Sequence, residues 1–348
     1  MINEINLTQL FDASGNENIE TVYFGGGTPS LLTTDDLKKI FEALHKKFTF
    51  SPTAEVTLEA NPDDINTTKL SDWKAIGINR LSVGIQSFLE EELVWMNRAH
   101  NAKESLQCID EIKNAGFTNF SIDLIYGSPL LTNDAWKRNV DIIFEKQVPH
   151  ISCYALTVEP KTALSKLIEQ HKKQTVDPEK QSEQFLLLMQ WMRNAGYEHY
   201  EISNYALPGM RSRHNSSYWS AGAGSQGKNY YGFGPSAHSF DGNNRRWNIA
   251  NNVLYIQSLQ KNIIPFEEET LTATQRLNEY IMTSLRTIEG LNIEKVSDNF
   301  GKQYSDKLIL SAEKYLKSSK LVLQDLSLVL SDEGKLFADG IAADLFFE

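Results

Sequence analysis

The stretch TVYFGGGTPS, residues 21–30, decides how this sequence is interpreted. A β-rich run meets three consecutive glycines, and Thr28, Pro29 and Ser30 follow. Because glycine adopts positive φ and lets backbone approach a ligand closely, the turn is either a tight strand-to-helix connection or one wall of a binding site. A P-loop is excluded because no Gly-Lys-Ser/Thr follows, and a dinucleotide fingerprint is excluded by the glycine spacing.

The same alternation of strand and helix continues from residue 21 to about residue 160. Further β-rich segments are AEVTLEA, NRLSVGIQS, FSIDLIYG and HISCYALTV, and the stretches between them carry apolar residues at helical spacing. The pattern predicts an α/β fold in which parallel strands are joined by crossover helices. Polar or glycine-rich residues recur near the strand ends, namely Gly25–Gly27, Glu59 with Asn61, Gln86, and Asp123 with Gly127. A β/α barrel collects its active site at these ends, so we expect one pocket.

The pattern changes after Pro160, first to two helices and then to a loop-rich, aromatic-rich region from about Tyr200 to Trp247. From about residue 265 three compact helices precede LVLQDLSLVLSDEG, which predicts a β-ribbon. We therefore predict a barrel over 1–200, a connecting region over 201–264 and a small winged-helix-like α+β domain over 265–348.

Composition limits the partners and the compartment. The 348 residues carry a formal net charge of -11, so duplex nucleic acid or an anionic membrane is not expected as the main partner, although local peripheral membrane contact stays open. No apolar run reaches the roughly 18 residues of a transmembrane helix, and the first residues lack a signal-peptide pattern. We predict a cytoplasmic protein. Cys108 and Cys153, the two cysteines, are predicted to be buried small hydrophobes.

Four polar residues are candidate ligand contacts. Gln86 offers an amide donor and acceptor, and Arg98 could hold a carboxylate in a bidentate fork or lie on the surface. Asp123 lies inside an apolar strand and requires a partner, whereas Glu59 alone would usually be solvated. Together they suit a ligand with an ammonium, a carboxylate and hydroxyl groups, as in a nucleoside that bears an amino acid.

Five ordered motifs carry a family resemblance: TVYFGGGTPSLL, EANP, SVGIQSF, NRAH and DLIYGSP. They resemble the S-adenosylmethionine (SAM) side of a radical SAM barrel, and over nearly the whole chain the sequence is similar to the oxygen-independent coproporphyrinogen III oxidase family, in its heme chaperone branch. The resemblance implies a partial β/α barrel with a C-terminal winged-helix-like domain. It also implies that the methionyl part of SAM contacts Gly26, Gly27 and Thr28, and that the pocket is completed by Glu59, Gln86, Arg98 and Asp123.

A second motif, RHNSSYW, spans residues 213–219. A histidine beside aromatic residues is commonly just packed or hydrogen-bonded, but H-N-x-x-Y-W resembles the heme-binding signature of the chaperone branch. The resemblance implies His214 as axial ligand of the heme iron, with Asn215 in the motif and Tyr218 and Trp219 over the porphyrin; His238 is a fallback ligand. The following SAGAGSQGKN, residues 220–229, departs from the shorter family spacing.

The iron-sulfur ligands expected of the family are missing from this sequence. Radical SAM enzymes bind a [4Fe-4S] cluster through a C-x3-C-x2-C motif before the glycine turn, and residues 1–20 contain no cysteine. MINEINL resembles the middle of the first barrel helix, so the first strand is expected to be absent. We predict that this chain cannot assemble the cluster or cleave SAM reductively; a late gene start or a truncation is favoured over natural loss.

Three functions follow from these patterns. The leading one is a heme-binding chaperone that delivers heme to a recipient protein of unknown identity. The alternative is an oxygen-independent coproporphyrinogen III oxidase, which decarboxylates propionate side chains with a SAM-derived radical. A nucleic-acid-binding module ranks last, because TATQRLNEYIMTSLRTIEG has no basic recognition face. No catalytic residue is assigned.

Overall fold

The computed structural model describes residues 1–11, 17–220 and 229–348. The predicted alternation of strand and helix is confirmed. The strands are β1 Asn18–Phe24, β2 Thr49–Ala60, β3 Arg80–Gln86, β4 Phe120–Tyr126, β5 His150–Ala155, β6 Glu198–Glu201, β7 Asn204–Ala206, β8 His238–Phe240, β9 Asn244–Asn248, β10 Phe266–Thr270, β11 Leu291–Asn292, β12 Leu321–Gln324 and β13 Ser327–Leu330.

The helices begin with α1 near the N-terminus and end with α15 near the C-terminus. They are α1 Ile2–Leu7, α2 Thr34–Lys47, α3 Thr67–Ala75, α4 Glu90–Trp95, α5 Ala102–Asn114, α6 Asn133–Glu145, α7 Ala163–Glu169, α8 Pro178–Asn194, α9 Arg213–Ser220, α10 Asn252–Gln260, α11 Ala273–Leu285, α12 Ile293–Phe300, α13 Lys302–Lys317, α14 Asp332–Lys335 and α15 Ala338–Asp344. Most begin with a side chain that caps the first turn, as Asn101 and Glu104 do reciprocally at α5.

The chain forms two compact units, each built from separate segments. The first unit comprises Met1–Val22, Thr33–Ala54 and Arg213–Glu348, and the second comprises Tyr23–Leu32 and Glu55–Ser212.

The largest sheet is a curled, partial β/α barrel of seven strands, in the order β1-β2-β3-β4-β5-β7-β6. Strands β2 to β5 pair in parallel, and β7 pairs antiparallel with both β5 and β6. The part of this sheet that lies in the second unit has an apolar core. The fully buried residues of β2, β3 and β4 there include Leu58, Leu81, Ile122 and Leu124. The predicted fold class is thus confirmed for the barrel, and parallel strands end together at the edge where candidate ligand contacts were expected.

One region is more ordered than the sequence predicted. Strands β7 and β8, most of β9 and helix α9 lie in the stretch that was predicted to be loop-rich and aromatic-rich. The reason for β7 is tertiary pairing, since Ile151 of β5 faces Tyr205 of β7, and Tyr205 is buried. A strand of three residues has too short a pattern to be recognised alone. Most of the insertion-like segment, residues 221–228, lies outside the described residues.

The C-terminal part of the first unit has the predicted α+β, winged-helix-like composition. Helices α11, α12 and α13 precede a small sheet of order β11-β13-β12. The β12–β13 pair forms the predicted ribbon, from Leu321 opposite Leu330 to Gln324 opposite Ser327.

A buried carboxylate ties α1 to the rest of the first unit. Glu4 accepts a hydrogen bond from the backbone N–H of Gly234 at 2.9 Å, and it also accepts from the side chains of Asn248 and Tyr255. Three donors compensate for the burial of this group, which would otherwise be costly.

Candidate functional site

The glycine turn after β1 shows both features that the sequence left open. Gly26 and Gly27 have φ values of 74° and 87°, a conformation that favours glycine. A Cβ atom added to either residue would meet open space. Thr28 then precedes a short 3-10 turn over Pro29–Leu31. The turn therefore needs its glycines for backbone conformation and also presents bare backbone to an open side.

Glu59, the penultimate residue of β2, is fixed against this turn and is not simply solvated. Its Oε1 accepts a hydrogen bond from the Tyr23 hydroxyl at 2.7 Å, and its Oε2 accepts from the Gly26 N–H at 3.3 Å. Tyr23 was not singled out from the sequence. The sequence did contain a signal for Tyr23. Because side chains alternate along a strand, Tyr23 faces the same side of the sheet as Gly25, two residues later.

Gly25 packs against this hydrogen-bonded pair of Tyr23 and Glu59. A Cβ there would lie 2.6 Å from the Tyr23 ring and 2.9 Å from Glu59 Oε1. We expect Gly25→Ala to lower the free energy of unfolding by about 1–3 kcal/mol, since a packed site must shift. Urea unfolding measures this. Gly340→Ala in α15 is the matched control, because nothing lies within 4 Å and alanine favours a helix. Equal effects of the two substitutions would contradict the packing argument.

Gln86 ends β3 in an unusual backbone conformation. Its φ is 68°, which is uncommon for a residue with a side chain, and the pairing of β3 with β4 shifts register between Val83 and Gln86. A Cβ added to Gly84 would lie 2.9 Å from the Gln86 amide nitrogen and 3.5 Å from Arg98 Nη2. The bulge and Gly84 thus bring Gln86 and Arg98 together.

Arg98 is held by the ends of two neighbouring strands. Its Nη2 donates to the Asn61 side-chain oxygen at 3.0 Å and to the Gly84 carbonyl at 3.2 Å. His100, in the same NRAH motif, lies with Nε2 2.9 Å from the Ile85 carbonyl oxygen. The motif therefore supports the strained end of β3, which the sequence pattern did not reveal.

Asp123 lies in the middle of β4, where its carboxyl interacts electrostatically with both Glu59 and Arg98. Burial raises the pKa of its carboxyl to about 7; the nearby Ser152 hydroxyl opposes this shift, the negative charge of Glu59 adds to it, and Arg80 and Arg98 oppose it. The structure therefore places Gly26 beside Glu59, and Gln86 beside Arg98. The charges of Glu59 and Arg98 both act on the pKa of Asp123. Gly27 and Thr28 follow Gly26 directly in the same turn.

The second candidate site, in the first unit, is helix α9. His214 Nδ1 lies 3.2 Å from the Thr21 hydroxyl oxygen. Tyr218 is 53% exposed, and its ring meets that of Trp219 edge to face with centroids 5.2 Å apart. Asn215 lies on the same helix one turn before Trp219. The helix thus carries the whole motif. The half-exposed Tyr218 lies one turn after His214, whose ring is oriented by the Thr21 hydroxyl.

His238, the fallback ligand, lies on a different element. It is exposed in β8, and its ring centroid is 6.3 Å from that of Trp247.

The two cysteines do not fit an iron-sulfur cluster. Cys108 in α5 donates to the Ser105 carbonyl at 3.2 Å, and burial raises the pKa of its thiol to about 12. Cys153 in β5 is also buried, and burial raises the pKa of its thiol strongly. Cluster ligands are thiolates, and three are needed. Among the described residues, no group of three histidine, cysteine or acidic side chains could hold a metal ion.

Comparison with known proteins identifies the family of the chain. The radical SAM superfamily model matches residues 6–143, and the HemN C-terminal domain model matches residues 271–337. The heme chaperone HemW of Bacillus subtilis is 31% identical over 94% of this chain and 86% of its own length. This chain belongs to the HemW family. The HemW of Mycobacterium tuberculosis is 32% identical over 94% of this chain and 80% of its own length.

A solved structure supports the fold of this HemW family member. Coproporphyrinogen III oxidase (HemN) from Escherichia coli, a radical SAM enzyme, superimposes with a TM-score of 0.83 at 19% identity, over 99% of this chain and 82% of that one. The predicted family, with its radical SAM barrel and HemN-like C-terminal domain, is confirmed. No helix within the described ranges is long and apolar enough to cross a membrane.

Proposed function

We propose that this chain binds heme through helix α9 and delivers it to a recipient protein, and that the barrel binds SAM. The observation that carries the proposal is the motif His214, Asn215, Tyr218 and Trp219 on one helix, with the histidine ring oriented by Thr21. The HemW name of the relatives supports the same function.

The residues of α9 fit a heme ligand set. When Nδ1 of His214 carries the proton and donates to Thr21, the lone pair lies on Nε2, which is the atom offered to iron. Such a hydrogen bond also raises the basicity of the ligand. Tyr218 and Trp219 add flat apolar surface for the porphyrin.

The barrel residues fit SAM in charge and hydrogen bonding. Gly26, Gly27 and Thr28 offer backbone and a hydroxyl to the methionyl part, and Arg98 offers a cation to its carboxylate. The other contacts of the proposed pocket are Glu59, Gln86 and Asp123. The cysteines of this chain do not fit a cluster, so we propose SAM binding and derive no radical step from it.

Direct transfer distinguishes a heme chaperone from a passive heme binder. Hemin is titrated into the protein, and the Soret band is expected to shift with a stoichiometry of one. The loaded protein is then mixed with an excess of apomyoglobin. A transfer rate that rises with acceptor concentration supports delivery through a complex, whereas a rate that is constant indicates simple dissociation and contradicts the chaperone proposal. Conversion of coproporphyrinogen III by the protein with SAM and a reductant would favour the oxidase instead.

SAM binding is expected to depend on pH through Asp123. Because the pKa of this carboxyl is raised to about 7, it is neutral in mildly acidic solution and ionised in mildly basic solution. An ionised carboxylate attracts the cationic ligand, so affinity should increase by up to about tenfold between about pH 6 and pH 8. Calorimetric titration of SAM measures this. The Asp123→Asn variant should show a flat profile; an unchanged slope in that variant would assign the pH dependence to another group.

A further inference from the structure

We infer that Arg286 and Trp219 form a carboxylate subsite beside α9, which takes a propionate arm of the porphyrin. This inference rests on the proposed heme-binding function. The guanidinium carbon of Arg286 lies 4.8 Å from the centroid of the Trp219 ring. Contact with an aromatic face restrains a guanidinium, and the N–H donors of a guanidinium form a fork that matches a carboxylate.

The subsite lies at one end of the proposed heme-binding helix. Arg286 is the C-cap residue of α11, and Trp219 follows His214 by five residues on α9. Five residues correspond to about 7.5 Å along a helix axis and about 140° around it. The cation is therefore displaced both along and around α9 from the proposed iron ligand. Heme likewise carries its two carboxylates at one edge of the ring, away from the iron at the centre.

The structure already places a carboxylate on Arg286. Its Nη1 donates to Asp339 Oδ1 at 3.0 Å. The Arg286 side chain is only 20% exposed, whereas that of Asp339 is 85% exposed. An ion pair with so exposed a partner is weak. A ligand carboxylate could therefore replace Asp339, which would return to water and leave no buried charge without a partner.

The overall negative charge of the protein increases the contribution that a local cation makes to binding an anionic ligand. The formal net charge of -11 opposes the approach of a porphyrin dianion. A stacked arginine next to the aromatic residues of the motif offsets this repulsion where the propionates would lie. The inferred ligand class is a metalloporphyrin with free carboxylates, and not simply any flat apolar ring.

Two probes that differ only at the propionates test the subsite. Hemin and hemin dimethyl ester are titrated into the wild-type protein and the Arg286→Ala variant, with absorbance as the readout. We expect Arg286→Ala to weaken hemin binding about tenfold, the loss of one charge-assisted contact, and to leave ester binding unchanged. Asp339→Asn should tighten hemin binding by about twofold to fivefold, because it removes one carboxylate that competes for the guanidinium.

The matched control is Arg276→Ala, at the other end of α11, where the guanidinium bonds Asn243 and the Leu271 carbonyl. This variant should bind both probes as the wild type does. Equal hemin affinity in wild type and Arg286→Ala would overturn the subsite, as would an equal loss of both probes, which would mean that Arg286 only supports Trp219. If the wild type binds neither probe, the proposed heme function itself fails.

Discussion

The His214→Ala variant is expected to lose at least about 100-fold in hemin affinity and to show no Soret shift at micromolar hemin, because it lacks the proposed axial ligand. This loss exceeds the cost of about 10- to 100-fold that is typical of losing a residue that only orients a ligand. Thr21→Val, which removes the hydroxyl 3.2 Å from His214 Nδ1, should cost about tenfold and keep a shifted Soret band.

Two controls make this prediction specific. His238→Ala should bind hemin as the wild type does, since His238 lies in β8 beside Trp247 and not on α9. Added imidazole should restore the Soret shift of His214→Ala, because it can occupy the ligand position. Normal binding by His214→Ala together with loss in His238→Ala would transfer the ligand role to the fallback residue.

Local sequence patterns were sufficient for the barrel and the C-terminal domain. The glycine turn, the helix spacing and the polar strand ends each depend on neighbours within a few residues, and these predicted β1 to β5 and the helices α2, α3, α5 and α6 between them. The short helix α4 was not predicted. Strand β7 was missed because it exists through its pairing with β5.

The site was predicted in its residue types but not in its connections. Glu59 and Gln86 were recognised as strand-end residues, yet the hydroxyl of Tyr23 on Glu59 and the crowding at Gly84 depend on how adjacent strands align. The stacking of Arg286 on Trp219 joins distant parts of the sequence. No periodicity encodes such a contact, because each partner alone is compatible with an ordinary surface residue.

The largest stability effect is expected from Glu55→Gln. The side chains of Arg80 and Glu55 are 2% and 4% exposed, and Arg80 Nε lies 3.7 Å from Glu55 Oε2. Burial lowers the pKa of the Arg80 guanidinium, and the charge of Glu55 opposes that shift. Neutralising Glu55 leaves a buried cation without its counter-ion, which should lower the free energy of unfolding by about 3–5 kcal/mol. Urea unfolding with a global fit measures this loss.

A surface pair in the same unit provides the control for that loss. Arg211 donates to Glu198 at 3.0 Å, with side chains 33% and 39% exposed, so Glu198→Gln should cost only about 0–1 kcal/mol. The double variant Arg80→Met with Glu55→Leu should recover most of the stability, because an apolar pair of similar volume removes both desolvation penalties. Arg80 also lowers the pKa of Asp123 through its charge. The double variant should therefore stay folded and move the pH midpoint of SAM binding upward. A destabilisation by Glu55→Gln no larger than that of Glu198→Gln would show that the buried pair is dispensable.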